Sequence, residues 1–199
     1  MTTLDRILLF LTGLLAAYQI VVGIDRMSTL PIAAYTIGFG VLLVAGLLLI
    51  ILGFDALDSP VVVIVSTIIP LTLSLGLVWQ HLASFRTVYL LFTIVSFLAV
   101  ILTRSIPLQN SLPVITIAVT HGIAGMTIFL LPIILSMQGS TPPLFSLVGV
   151  GGALIGIGGL LLSFLKTGRP ILSRETILKI LPGLLLIMTI FFVTGFKYG

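Results

Sequence analysis

Seven long apolar runs, separated by short clusters of charges or turn formers, make up almost the whole chain. They run from Ile7 to Ile24, Leu30 to Phe54, Pro60 to Trp79, Thr87 to Thr103, Pro113 to Ser136, Leu144 to Leu165 and Thr176 to Phe196. Each is close to the ~20 residues that a helix needs to cross a hydrocarbon core. The fifth and sixth runs are not divided by charge, because Ser105 to Leu165 contains no Asp, Glu, Lys or Arg. They are divided by Gln138-Gly139-Ser140-Thr141-Pro142-Pro143, a cluster of turn formers. The longest connection is Lys166 to Glu175, too short for a soluble domain. The pattern predicts an all-α, polytopic membrane helical bundle of seven transmembrane helices, with residues 1–199 as a single membrane domain.

Inside the runs, small and polar residues recur at helical spacing. Gly149, Gly152, Gly156 and Gly159 fall at i, i+3, i+7 and i+10, which puts four residues without side chains on one helix face. In water each such Gly costs roughly 1 kcal/mol relative to Ala. In a bilayer the backbone must pair its own amides, so the helix survives and the bare face admits a close neighbour. We therefore expect helix six to be buried among the others as their packing centre. Further stripes are Thr12, Ala16, Gln19 and Gly23 in the first run, Tyr89, Thr93 and Ser96 in the fourth, and Thr116, Thr120, Ala124 and Thr127 in the fifth. These faces are expected to point inward and hydrogen-bond across helices. The functional alternative is a polar route for a substrate or proton along Gln19, Thr116, Thr120 and His121. Pro70, Pro132 and Pro182 lie inside runs three, five and seven and should bend their helices; a broken helix at a binding site is the sharper alternative.

An offset of 82 residues aligns Ser28-Thr29-Leu30-Pro31 with Asn110-Ser111-Leu112-Pro113. It lays runs one to three over four to six and leaves the seventh unmatched. That is the outline of a 3+3+1 inverted repeat of the transporter type. It rests on one Leu-Pro pair and the spacing of spans, and chance alignment of apolar segments explains it better.

Composition strengthens the membrane assignment. Hydrophobic residues are 59% of the 199 and charged residues 7%, against about 25% charged in soluble domains. Cysteine is absent, which excludes disulfides, thiolate metal sites and cysteine nucleophiles. The net charge of +4 reflects few acids rather than a basic run, so nucleic acid is excluded as a partner. The first run reads as a retained helix, since Asp5 spoils a basic signal-peptide head and Gly23-Ile24-Asp25 is a poor cleavage site. Arg6, Arg104, Lys166, Arg169, Arg174 and Lys179 fall on one side and Arg26, Arg86 and Lys197 on the other. This bias predicts a cytoplasmic N-terminus and an external C-terminus. Trp79, Phe85 and Tyr198 sit near span ends, where aromatic rings prefer to lie.

Few residues can carry chemistry. His81 ends run three and His121 lies inside run five. The first is roughly 31 Å along its helix from Pro60 and the second roughly 12 Å along its own from Pro113. That difference is too large for both to ligate one haem iron. His121 alone remains as a cofactor ligand, proton carrier or substrate contact, against a simple hydrogen bond across the bundle. The sequence identifies no cofactor. Asp55 and Asp58 have no basic residue in their own loop and can hold a cation at the surface, although solvated carboxylates at a helix start are commoner. Lys179 is too near the start of its span for a retinal lysine and should snorkel. No HExxH, GxSxG or Walker signature occurs, and no cluster of His, Asp or Glu suggests a hydrolase. The first functional reading is a non-catalytic subunit or scaffold of a larger membrane complex, respiratory or photosynthetic among the settings. The alternatives are a small transporter or channel, and an intramembrane cofactor carrier built on His121. The expected partners are the lipid bilayer and other membrane subunits or a second copy.

Overall fold

The computed structural model describes residues 1–24, 27–106, 111–166 and 171–198, with residues 160, 163–166 and 198 described by backbone alone. Arg26, Arg169 and Asn110, and the side chains of Lys166 and Tyr198, lie outside the described residues. Seven α-helices follow one another: α1 Thr3–Val22, α2 Thr29–Leu52, α3 Pro60–His81, α4 Arg86–Ser105, α5 Leu112–Met137, α6 Ser146–Lys166 and α7 Arg174–Tyr198. Six are long and apolar enough to cross a membrane; among the described residues the apolar part of the sixth runs only over Pro143–Gly159. The chain is an all-α bundle and, by the apolarity of its helices, an integral membrane protein.

Local chemistry sets the helix ends. Asp5 helps to start α1. Its carboxylate accepts the Thr2 N–H at 2.6 Å while the Thr2 hydroxyl accepts the Asp5 N–H at 3.2 Å, a reciprocal cap of the free amides. Gly23 and Gly53 close α1 and α2 with φ of +69° and +74°, a region that residues with a Cβ seldom adopt. Pro60 opens α3 where its missing N–H costs nothing. Pro70, Pro132 and Pro182 are buried inside α3, α5 and α7, and all three helices run through them. No described proline breaks its helix, so the broken-helix reading falls away.

Consecutive helices form antiparallel hairpins, as the close approaches at glycines show. A Cβ on Gly13 would meet Leu43 and one on Gly46 would meet the Leu9 carbonyl, while Gly38 faces Thr72 and Leu73 and Gly76 faces Tyr35. The central element is α3. It packs against α2, α4 and α5, and 56% of its apolar window is buried, against 6% for α4. This corrects the expectation for helix six. Helix α6 sits at the side of the bundle between α5 and α7, with Val150 and Ile157 exposed.

The glycine face of α6 is corrected with it. A Cβ on Gly149 would lie 2.5 Å from the Phe129 carbonyl oxygen, and one on Gly152 would lie 2.7 Å from Ile128 Cγ2. Here α5 and α6 touch backbone to backbone. Among the described residues nothing lies within 4 Å of a Cβ on Gly156 or Gly159, so these two do not extend the contact. A second contact forms instead between α6 and α7. Gly151 is against Phe192 and the Met188 carbonyl, Gly158 against Leu184, and Gly195 of α7 against Val148. Alternate glycines thus serve two neighbours.

The 82-residue offset matches helix lengths but not their arrangement. It carries α1, Thr3–Val22, onto residues 85–104, within one residue of α4. Yet α3 packs on α4 and α5, and its counterpart α6 packs on α5 and α7. A two-fold repeat would place α6 against α1 and α2.

Candidate functional site

The short connections bring the C-terminal ends of α1, α3, α5 and α7 to one end of the bundle, which we call the distal end. Its core is aromatic. The spacing Phe192, Phe196 on α7 and Tyr35, Phe39 on α2 is i, i+4, so each pair shares a helix face. Tyr35 and Phe196 have ring centroids 4.6 Å apart, Phe39 and Phe196 6.1 Å, and Phe145 and Phe196 6.3 Å. Phe145, held in a short 3₁₀ turn over Pro143–Phe145, also meets the His81 ring at 5.2 Å. The chain of contacts therefore runs Tyr35–Phe196–Phe145–His81.

This cluster encloses two polar atoms that find no protein partner: the Tyr35 hydroxyl and the His81 Nε2. Burying such a group unpaired costs about 1–3 kcal/mol. Tyr35 is 2% exposed, and its ring lies against α3 where Gly76 leaves room. Nearby, the Arg86 side chain ties the start of α4 to the end of α3. Its Nε donates to the Trp79 carbonyl at 2.6 Å, and its guanidinium sits 5.7 Å from the Trp79 ring centroid, within cation–π range. Sequence reasoning passed over Tyr35, since a tyrosine in an apolar run carries no signal of its partners. For His81 the sequence offers only the test against a haem shared with His121, and no sign of Phe145.

The residues named as a substrate or proton path are not brought together. Gln19 is buried at the distal end of α1, where its Nε2 donates to the Gly23 carbonyl at 2.9 Å. Thr116, Thr120 and His121 lie on α5. Helix α1 packs against α2 and α7, and α5 against α3, α4 and α6. Along their helices, Gln19 is about 24 Å from Thr3 and His121 about 14 Å from Leu112, so the two also differ in depth. His121 itself makes a local bond: its Nδ1 is 3.1 Å from the Ile117 carbonyl, one turn back on the same helix. A carbonyl only accepts, so Nδ1 carries the proton. The expected bond across the bundle is corrected to one within α5. Thr120 is buried, whereas Thr116 and His121 are half-buried.

Most hydroxyls behave as His121 does. Thr12, Thr67, Thr93 and Thr189 each donate to the carbonyl four residues back. One stripe does bridge helices: the Tyr89 hydroxyl of α4 donates to Thr127 Oγ1 of α5 at 3.1 Å. At the opposite, proximal end, the cation for Asp55 and Asp58 comes from the protein itself. Arg174 at the start of α7 places Nη2 3.1 Å from Asp58 and 3.7 Å from Asp55. Arg174 and Asp58 are separated by 116 positions, which hid the pairing from a loop-by-loop reading. Among the described residues no group of three or more His, Cys, Asp or Glu is placed to hold a metal.

With this geometry in hand, comparison with known proteins adds no relative: no family model, curated protein or solved structure matches the chain. The class is therefore defined by the fold, a multi-pass helical membrane protein.

Proposed function

We propose that this protein is a non-catalytic subunit or scaffold of a larger membrane assembly, and that α4 is the helix it offers to a partner. The observation that carries this reading is the exposed face of α4. Val88, Leu91, Val95, Leu98 and Leu102 are all more than half exposed. They fall at i, i+3, i+7, i+10 and i+14, the spacing of a coiled-coil seam. One seam position carries Val88, Val95 and Leu102 and the other Leu91 and Leu98, and β-branched residues facing Leu suit two-stranded knobs-into-holes packing. Only Val100 of α4 is buried, so the helix has most of its surface left for neighbours.

The absence of native cysteine makes the test clean. Single cysteines at Leu91 and Leu98 should cross-link to a second polypeptide in native membranes, and cysteines at Thr93 and Phe97, on the side of the helix that carries the buried Val100, should not. The same complex should survive gentle detergent extraction. A monomer that shows no seam cross-link, or purified protein that moves an ion or solute across liposomes by itself, overturns the proposal.

A further inference from the structure

Helices α5 and α6 touch near the distal end and part toward the proximal end. Gly149 and Gly152 lie against Ile128, Phe129 and Ile133. Gly122, Gly125, Phe129 and Ile133 fall at i, i+3, i+7 and i+11, so the two glycines of α5 share the face that α6 meets. Gly156 and Gly159 continue the matching face of α6. The pair is antiparallel and Gly152 meets Phe129, so the same register sets Gly156 opposite Gly125 and Gly159 opposite Gly122. Among the described residues, nothing lies within 4 Å of a Cβ on any of these four. The result is a slot between two bare helix walls. It opens to the outside of the bundle, since Gly122 and Gly159 are exposed.

His121 stands at the edge of this slot, next to Gly122 in the chain and one turn before Gly125. Its Nδ1 donates to the Ile117 carbonyl at 3.1 Å, so Nε2 presents a lone pair. That nitrogen makes no described hydrogen bond and, unlike the His81 Nε2, is not enclosed by protein. Metal-ligating imidazoles adopt this arrangement, because the tie to a carbonyl fixes the tautomer and the ring. Among the described residues no group of three His, Cys, Asp or Glu could hold a bare ion. A metal at His121 must therefore arrive with its other ligands. A flat macrocycle brings them, and glycine walls admit a flat ring where side chains would fill the space. We propose that the α5–α6 slot binds a metallated tetrapyrrole, a haem or a chlorin, with His121 Nε2 as its protein ligand. The site lies away from the α4 seam and does not depend on it.

The test titrates zinc protoporphyrin, which carries the haem ring, and a zinc chlorin into the purified chain in one detergent. His121→Leu, Gly156→Leu and His81→Leu are titrated in parallel. Pigment dissolved in micelles is common to all four proteins, so only differences among them are read. Wild type and His81→Leu should bind one macrocycle per chain with a shifted absorption band, and the ring that binds names the class. His121→Leu should lose the shift. Gly156→Leu fills the slot where no neighbour is disturbed, and should weaken binding about tenfold. A shift from neither ring overturns the proposal. So does a shift that survives His121→Leu or is lost in His81→Leu, or binding that Gly156→Leu leaves unchanged. Should His121→Leu not fold, nitrogen NMR of isotope-labelled histidine in the wild type decides, since the chain has only two histidines. Movement of the His121 Nε2 resonance with either zinc macrocycle supports the site, and a resonance unmoved by both overturns it.

Discussion

At the scale of single residues, the glycines of α6 show how a spacing rule is refined by contact. Gly149 and Gly152 sit against the α5 backbone, where a Cβ would come within 2.5–2.7 Å of Phe129 and Ile128 atoms. Gly156 and Gly159 have no such neighbour. Gly152→Leu should therefore destabilise the bundle by about 1–3 kcal/mol through overpacking, while Gly156→Leu should leave stability near wild type. Thermal unfolding of both variants in the same detergent checks this, and equal losses would mean the α5–α6 contact runs the full length. His121 gives a second residue-scale expectation. Its only hydrogen bond described is to Ile117 of its own helix, so no helix–helix tie is lost on substitution. His121→Leu should cost under about 1 kcal/mol, near the lower end of values for buried bonds in membranes. Loss of folding in His121→Leu would instead reveal a partner for the ring.

Elements are held by contacts the helices make far from their own sequence neighbours. The Tyr89–Thr127 bond fastens the otherwise peripheral α4 to α5. Tyr89→Phe should cost about 0.6 kcal/mol, the mean for such bonds in a bilayer. It should also speed hydrogen exchange along α4 more than along α3, since α3 is enclosed on several sides. At the proximal end, Arg174 clasps the α2–α3 connection through Asp55 and Asp58. All three side chains are more than half exposed, so solvent screens the clasp. Arg174→Ala should lower stability by about 0.2–1 kcal/mol, and the loss should shrink as salt is raised. A loss unaffected by salt would point to packing of the arginine stem rather than charge.

For the whole molecule, the sharpest expectation is topology. Seven crossings would put the two chain ends on opposite faces, and the Lys/Arg bias of the sequence predicts the N-terminus in the cytoplasm. Reporter fusions after Met1 and after Gly199 should report cytoplasm and exterior respectively. A single cysteine at Ser140, in the α5–α6 connection, should react with an external impermeant thiol reagent, and one at Asp55 should not. Both ends on the same face would remove one span, and α6 is the first to question, because its described apolar stretch is the shortest.

What the sequence determined by itself is the set of helices and the solvent around them. Apolar runs of spanning length, punctuated by Asp25-Arg26, Asp55–Asp58, Arg104 and the Gln138–Pro143 turn cluster, identify helices because a bilayer leaves the backbone no other way to pair its amides. The ends were legible to within a few residues for the same local reason, as at Thr2–Asp5 and Pro60. Which face of each helix is covered was not legible. In water an inward face is apolar and an outward face polar, but here both are apolar, since lipid is as greasy as the core. Hence the seam Val88–Leu102 looks like any other stripe until α4 is seen at the side of the bundle, and Gly151 cannot be assigned to α7 or Gly152 to α5 from spacing alone. The same limit hid the centre of the molecule at α3, the reach of Arg174 to Asp58, and the meeting of Tyr35 with Phe196. Each is a contact between helices, and only the tertiary arrangement decides contacts when hydrophobicity no longer distinguishes inside from outside.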